Sequence, residues 1–289
     1  MVIAVVGPTG IGKTKLSVDL AKMFDGEIIN GDSTQIFQEA NIGTAKVTDE
    51  EKDGIIHHLF DLKNLNEEYT VYDYQIDARA KIKDILSRNK TPIIVGGSNM
   101  YINALLYDYN FKKEDNICDL DMLSNDEMYY ALKKLDLSLD IDRKNRQRLI
   151  RYYAKYINNS EQIEVDGTNM VYDAFIIGLT TDREILYERL NKRVDLMIEK
   201  GLIEETRTLY EKYPDSKQLH NMIDYKEIIE YINGLPLEDA IVLMKQNCRN
   251  YAKRQYTWLN HKMNVKWFDV DFEDFSRTVK DVEMYIKSS

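Results

Sequence analysis

The sequence predicts an α/β protein, a parallel sheet flanked by helices, with a small and mostly helical insertion. Three observations carry this. Short apolar runs at residues 2–6, 26–30 and 91–97 end in Gly, Asp or Gly-Gly-Ser, as buried strands do. Stretches of helical spacing alternate with them, and such alternation argues for a parallel sheet covered on both faces. A second return to strand character, "AFIIGL" at 174–179, follows an interruption of different composition. The chain has 289 residues, of which 44% are apolar, enough for a buried core.

The elements follow in order. Residues 2–6 read as a buried strand closed by Gly7, and Leu16, Leu20 and Met23 then recur at helical spacing. "GEIIN" is a second strand that ends just before Asp32. Thr70 and Asp73 form a capping-box pattern, opening a helix with Ala78, Ile82 and Ile85 on one face. "TPIIVGG" is a third strand, and Gly96-Gly97 permits close backbone approach at its end. Gly7, Asp32 and Ser98 each follow a strand end, so they converge on one edge of the sheet, where ligands of such folds bind. From residue 112 to 142 the chain is acidic; from 143 to 155 it carries six Lys/Arg and no Asp or Glu. The predicted division is therefore a core of residues 1–112 and 172–289 with an insertion at 113–171. A long amphipathic helix spans 238 to about 261, with Met244, Cys248, Tyr251 and Trp258 as its core-facing stripe.

The chemistry begins at "GPTGIGKT" (7–14), which matches G-x-x-x-x-G-K-[ST] between a strand and a helix. This gives the fold its P-loop NTPase-like character. The glycines turn backbone amides inward and the helix N-terminus adds a positive end. Lys13 brings a charge to the phosphates, and the Thr14 hydroxyl is suited to Mg²⁺. The loop specifies phosphate groups without specifying what carries them. The strand "PIIVGG" lacks the terminal Asp that motor ATPases and GTPases use for Mg²⁺, which leaves small transferases. Asp32 faces the phosphate loop as a candidate general base; the same residue also suits a helix N-cap or turn. Ser33, Thr34 and Gln35 add hydrogen-bonding groups, with Gln35 placed to read a base edge or to lie in a solvated loop.

The net charge of −10 opposes nucleic-acid binding unless basic groups are clustered. Two clusters exist. Arg143, Gln147 and Arg151 recur at i, i+4, i+8, flanked by Lys144, Arg148 and Lys155 and by Tyr152, Tyr153 and Tyr156. Lys245, Arg249 and Lys253 repeat that spacing. Basic residues beside aromatics suit phosphate contact and base stacking, although a solvated charged face has the same pattern. His57 and His58 sit in a mixed apolar run and read as structural; four histidines without Cys/His spacing argue against zinc. Cys118 and Cys248 lie far apart and read as buried thiols of a reducing compartment. The opening residues lack a signal peptide's features and no apolar run reaches membrane-spanning length. A cytoplasmic, monomeric protein that contacts no membrane is the expectation.

Together the fragments "GPTGIGKT" (7–14), "GDSTQIF" (31–37), "NIGTAK" (41–46), "HHLFDL" (57–62), "PIIVGGSNMY" (92–101), "NRQRLIRYY" (145–153), "RVDLMIEKGLIEE" (193–205), "DYKE" (224–227) and "KRQYTWL" (253–259) resemble the tRNA dimethylallyltransferase, or tRNA isopentenyltransferase, family. The resemblance implies transfer of a dimethylallyl group from dimethylallyl diphosphate to the exocyclic amine of the adenosine 3′-adjacent to a tRNA anticodon, releasing diphosphate. It implies that Gly7, Pro8, Thr9, Gly10, Ile11, Gly12, Lys13 and Thr14 bind the diphosphate, with Mg²⁺ on Thr14. Asp32 takes the proton, and Lys13, Thr14 and Arg193 stabilise the leaving group. Asp32, Ser33, Thr34, Gln35 and Ser98, with Gln147, Arg148, Leu149, Ile150 and Arg151 of the insertion, are implied to contact the anticodon stem-loop. Ser98 stands where the family has Thr, Phe37 where it has Tyr, and Asp224 where it has Gly; after Arg151 the chain reads Tyr-Tyr-Ala rather than Ala-Leu-Glu. Two alternatives share the phosphate loop: a small-molecule kinase resembling shikimate kinase, and a non-catalytic RNA-binding relative of the NTPases.

Overall fold

An uninterrupted apolar strand is stable in a sheet only when both its faces are covered. β1 (Val2–Val6) meets that condition, with every residue buried. Val2, Ala4 and Val6 enter one hydrophobic cluster, and Ile3 and Val5 enter another on the opposite face. The computed structural model describes residues 1–109, 123–136, 139, 141–157 and 167–288, and for residues 147, 151 and 154–157 the backbone only.

After β1 come α1 (Lys13–Met23), β2 (Gly26–Asn30), the short α2 (Asp49–Lys52) and β3 (His57–His58). They are followed by α3 (Val71–Ser87), β4 (Thr91–Val95) and α4 (Asn99–Leu106). α5 (Asn125–Leu135) and α6 (Arg146–Ile157) precede β5 (Ala174–Thr180). The chain closes with α7 (Arg183–Glu199), α8 (Leu202–Lys212), α9 (Lys217–Asn221), α10 (Tyr225–Ile232), α11 (Leu237–Lys262), β6 (Lys266–Asp269) and α12 (Phe275–Ser288). The sheet runs β3-β2-β4-β1-β5-β6 with every neighbouring pair parallel. α3 and α4 cover one face; α1, α7 and α12 cover the other. No helix among the described residues is long and apolar enough to cross a membrane.

The four strands and the α3 capping box expected from the sequence are present; Thr70 Oγ1 accepts from the Asp73 amide, and the Asp73 carboxylate accepts from the Thr70 amide. The edge strands β3 and β6 lack an apolar run and were not expected. β3 is held partly through side chains. Glu27, 1% exposed at the start of β2, accepts from His58 Nε2 (2.8 Å) and from both terminal nitrogens of Arg88, and pairs with Lys90 at 3.2 Å. These donors hold its carboxyl well below the usual carboxylate range, Arg88 most strongly. On α11 the buried stripe is Ala240, Met244, Cys248, Ala252, Gln255 and Leu259. Tyr251 and Trp258, expected within it, flank it and are half-buried.

The chain forms two compact units: Met1–Asp108 with Asn169–Ser289, and Tyr109–Thr168. In the second, Ser124 and Glu127 form a capping box that starts α5, and Met128, Leu132, Ile141 and Leu149 make a small core. Arg143 lies in the turn before α6 rather than on its face, and ion-pairs with Asp126; the i, i+4, i+8 stripe therefore begins three residues before the helix. Cys118 lies outside the described residues.

Candidate active site

The register Val5↔Val95 and Asn30↔Val95 brings the ends of β1, β2 and β4 level. The loops leaving them meet. The Gly31 amide donates to Val95 O (2.7 Å), the Ser98 amide to Gly31 O (3.2 Å), and the Ser33 amide to Ser98 Oγ (2.9 Å). A Cβ at Gly96 would lie 2.1 Å from the Gly31 carbonyl, so the crossing excludes any side chain there. Gly7, Asp32 and Ser98 thus converge as their strand-end positions predict.

The loop at 7–14 wraps the N-terminus of α1, whose cap Gly12 is left-handed at φ 106°. Lys13 Nζ reaches back to Pro8 O at 2.8 Å. Burial in the loop lowers the Lys13 pKa to about 8, with Asp32 opposing the shift and Arg193 adding to it. One ammonium is thus in electrostatic reach of a carboxylate and of a second cation. Thr14 is exposed at the first turn. Pro8 has no amide hydrogen, Ile11 is buried in the core by its side chain, and the Thr9 amide is already engaged by Gln255 Oε1 (3.0 Å). The donors of this loop suited to an anion are therefore its remaining amides and Lys13.

Asp32 Oδ1 accepts from the Thr34 amide (3.0 Å) and hydroxyl (2.7 Å). Its other oxygen has no such partner among the described residues and lies beside Gly97. Tyr74, Tyr101 and Tyr251 surround it; burial pushes all three phenols up, and the Asp32 charge adds to the push. Thr9, Asp32, Phe37, Arg193, Asp224 and Tyr251 are among the walls of a cavity of about 320 Å³. Asp224 is 4% exposed with φ 77°, and its Oδ1 accepts from Cys248 Sγ at 3.1 Å. Burial lifts its carboxyl to about 6 against the pull of Arg193.

Gln35 does not lie loose in solvent. Its Nε2 donates to the carbonyls of Thr44 (3.0 Å) and Ala45 (3.3 Å). The adjoining loop is fixed by Glu205, which accepts from the amides of Asn41, Ile42 and Gly43 and from Tyr225 Oη. Gly43 lies flat on the Tyr225 ring, where a Cβ would sit 2.5 Å away. The fragments around 41–46, 193–205 and 224–227 are one packed assembly. Gln255 escaped the sequence reading. On α11 it donates from Nε2 to Gly97 O (2.9 Å) and accepts the Thr9 amide, so it clamps the phosphate loop to the end of β4.

Of the second basic stripe, Lys245 pairs with Asp195 at 2.6 Å and Arg249 donates to Asn191 Oδ1 at 2.7 Å, leaving Lys253 exposed. In the other unit Arg148 is exposed with its guanidinium over the Tyr152 ring, 5.7 Å from its centre. Leu149, expected to contact nucleic acid, is fully buried in that unit's core and Ile150 packs against it, because the apolar face of α6 is the one that covers α5. The side chains of Gln147 and Arg151 lie outside the described residues.

The Thr14 hydroxyl at the first turn of α1 is a hard oxygen donor. Among the described residues no group of three or more His, Cys, Asp or Glu could hold a metal. That sparse donor set fits Mg²⁺, which binds through one or two protein oxygens and substrate phosphates rather than a protein cage.

The family model for IPP transferase matches residues 35–262. A tRNA dimethylallyltransferase of Anoxybacillus flavithermus is 45% identical over 298 aligned residues, covering 99% of this chain and 96% of its own. The structure of a tRNA delta(2)-isopentenylpyrophosphate transferase from Staphylococcus epidermidis superposes with a TM-score of 0.77 at 37% identity, covering 99% of this chain and 98% of that one. A eukaryotic dimethylallyltransferase acting on tRNA gives a TM-score of 0.85 at 28% identity, covering 99% and 78%. Each is a transferase by name, which weighs against the small-molecule kinase reading.

Proposed function

Because the chain belongs to the IPP transferase family, we propose that it transfers a dimethylallyl group from dimethylallyl diphosphate to the exocyclic amine of the adenosine 3′-adjacent to the anticodon in tRNA, releasing diphosphate. The observation that carries this reading is the placement of the free oxygen of Asp32 on the same cavity as Arg193, in electrostatic reach of Lys13. A proton acceptor and two cations then meet where an amine displaces a diphosphate.

The amine nitrogen attacks the first carbon of the allyl group, that carbon's bond to the diphosphate oxygen breaks, and the amine proton passes to Asp32. Lys13, Arg193 and the loop amides hold the departing charge, which is preorganised before the reaction begins. Thr14, with the diphosphate oxygens, would hold Mg²⁺, which neutralises further charge on the leaving group. Phe37, Met222 and Tyr251 supply apolar wall for the five-carbon chain. The acceptor adenine leaves its loop stack to enter the cleft, which an anticodon loop permits at lower cost than a duplex. Ser33, Thr34 and Ser98 line the approach to Asp32 and are proposed to orient the flipped nucleotide. The exposed Arg148, with Arg151 on the same helix, is proposed to meet the tRNA backbone. Residues 1–112 and 172–289 would then be catalytic and 113–171 a tRNA-contacting insertion, in a cytoplasmic monomer.

The test is to incubate the protein with unmodified tRNA, Mg²⁺ and dimethylallyl diphosphate, then digest and weigh the nucleosides. Adenosine heavier by one dimethylallyl group is expected. If only unmodified adenosine is recovered from an enzyme that binds both substrates, the reading fails.

A further inference from the structure

A phosphate loop that follows β1 and opens α1 holds nucleoside triphosphates in many proteins, and nothing in its amides alone prevents that here. The outer end of this loop differs from an open nucleotide site. The edge of the Phe275 ring lies against Gly12, where a Cβ would sit 2.9 Å from Cε2. Lys15 Nζ stands 4.7 Å above the centre of the same ring. Beside it, Arg189 places its guanidinium 3.9 Å over Phe272 and donates from Nε to Gly10 O at 3.3 Å. The segment between β6 and α12 therefore sits directly on the loop.

That segment is fixed. The Val270 amide donates to Thr180 O (2.9 Å) and the Asp271 amide to Thr278 Oγ1 (2.9 Å). Asp271 Oδ1 in turn accepts from the amides of Glu273 (3.0 Å) and Asp274 (2.9 Å). Phe272 and Phe275 pack on the cluster that includes Ile11, Leu186 and Leu190. The segment itself is acidic, with carboxylates at residues 271, 273 and 274.

The direction of the donor follows from the chemistry. The carbon under attack is bonded to the first phosphate, so that phosphate lies at the Lys13 and Asp32 end. The second phosphate then lies on the side of Lys13 away from Asp32, toward Gly12 and Lys15, and anything beyond it runs out past them. We propose that Phe275, seated on Gly12 and Lys15 and backed by Phe272 and Arg189, closes the loop beyond the second phosphate, so that it takes a diphosphate ending there and excludes a nucleoside attached at that end. Selection is by steric and charge conflict with the wrong ligand rather than by extra contacts with the right one. The inference rests on the transferase reading for the direction of the donor.

The test is calorimetric titration of the whole protein with inorganic pyrophosphate and with ADP, each with Mg²⁺. In the native protein pyrophosphate is expected to bind at least about tenfold more tightly than ADP. Phe275→Ala is expected to narrow that ratio about tenfold, and the milder Phe275→Leu to narrow it less. Thermal melts confirm folding, and the leucine variant decides if the alanine variant does not fold. ADP binding to the native protein as tightly as pyrophosphate, or an unchanged ratio in a folded variant, overturns the proposal. A failed transferase reading is distinct from either: pyrophosphate binds, the ratios are read, and no prenylated adenosine forms.

Discussion

Asp224 holds the most costly backbone conformation in the cavity wall. At φ 77° and ψ −36° a residue with a Cβ is strained by roughly 1–3 kcal/mol, and glycine adopts that region freely. Its carboxyl is also raised by burial to about 6, whereas the unfolded chain titrates near 3.9. The folded state binds that proton more tightly, so stability is fully present below about pH 4 and falls as pH rises toward 6, by about 3 kcal/mol in all. Asp224→Gly is therefore expected to raise the melting temperature at pH 8 and to flatten the decline between pH 4 and 6. A lower melting temperature at pH 8 would mean that the Cys248 bond and the attraction of Arg193 outweigh strain and burial. At Asp32 the expectation concerns rate. Asp32→Asn should lower single-turnover prenylation by about 10²-fold or more and leave tRNA affinity nearly unchanged in filter binding; loss of tRNA binding instead would make Asp32 a recognition residue. The place of Asp32 was legible, a carboxylate after a strand end that reaches the cavity wall, while its side chain also makes the turn contact with Thr34 that such a position suits. Asp224 was visible only as a departure from a pattern, since one sequence does not display a positive φ.

At the scale of elements, legibility followed burial. β1, β2, β4 and β5 are continuous apolar runs because both sheet faces are covered. β3 is two histidines paired with β2, of which His58 is also held by Glu27, and β6 has only Trp267 and Phe268 half-buried; neither leaves a hydrophobic signature. On α11 the sequence reading followed charge and large apolar side chains and so passed over Gln255, which lies 2% exposed on the buried stripe. A glutamine at a core position of an amphipathic helix was the available signal, because a buried amide must find partners. Here the partners are the Thr9 amide and the Gly97 carbonyl, each on a different strand-end loop. Gln255→Leu keeps the volume and removes both bonds. It is expected to raise KM for dimethylallyl diphosphate and lower kcat, together by roughly tenfold or more in kcat/KM, as the loop loses its fixed position. An unchanged kcat/KM would show that the glycine turns alone set the loop.

For the whole molecule the acidic balance of −10 obscures how its basic groups are distributed. Ion pairing removes Arg143 and Lys245 from the expected stripes, and Arg148 remains exposed. Replacing Arg148 and Arg151 with Ala should weaken tRNA binding and flatten the slope of affinity against salt by about one to two released ions. An unchanged slope would make that helix a solvated face. The interruption of the core is set by its point of exit. The Asp108 amide bonds to Asn169 O at 3.0 Å, the Asn169 amide and side chain return to the Asp108 carboxylate, and the Val171 amide meets Leu106 O at 2.8 Å. The chain leaves and re-enters the sheet domain through neighbouring residues. Everything between them is a loop in the polymer sense, and its closure entropy grows only slowly with length. Exchanging that excursion for a four-residue turn should therefore lower the closure cost by roughly 2 kcal/mol. The shortened chain is expected to unfold cooperatively in denaturant, with pyrophosphate binding retained and tRNA binding lost. The sheet domain, on this account, can exchange one excursion for another at a point that leaves its strand pairing intact.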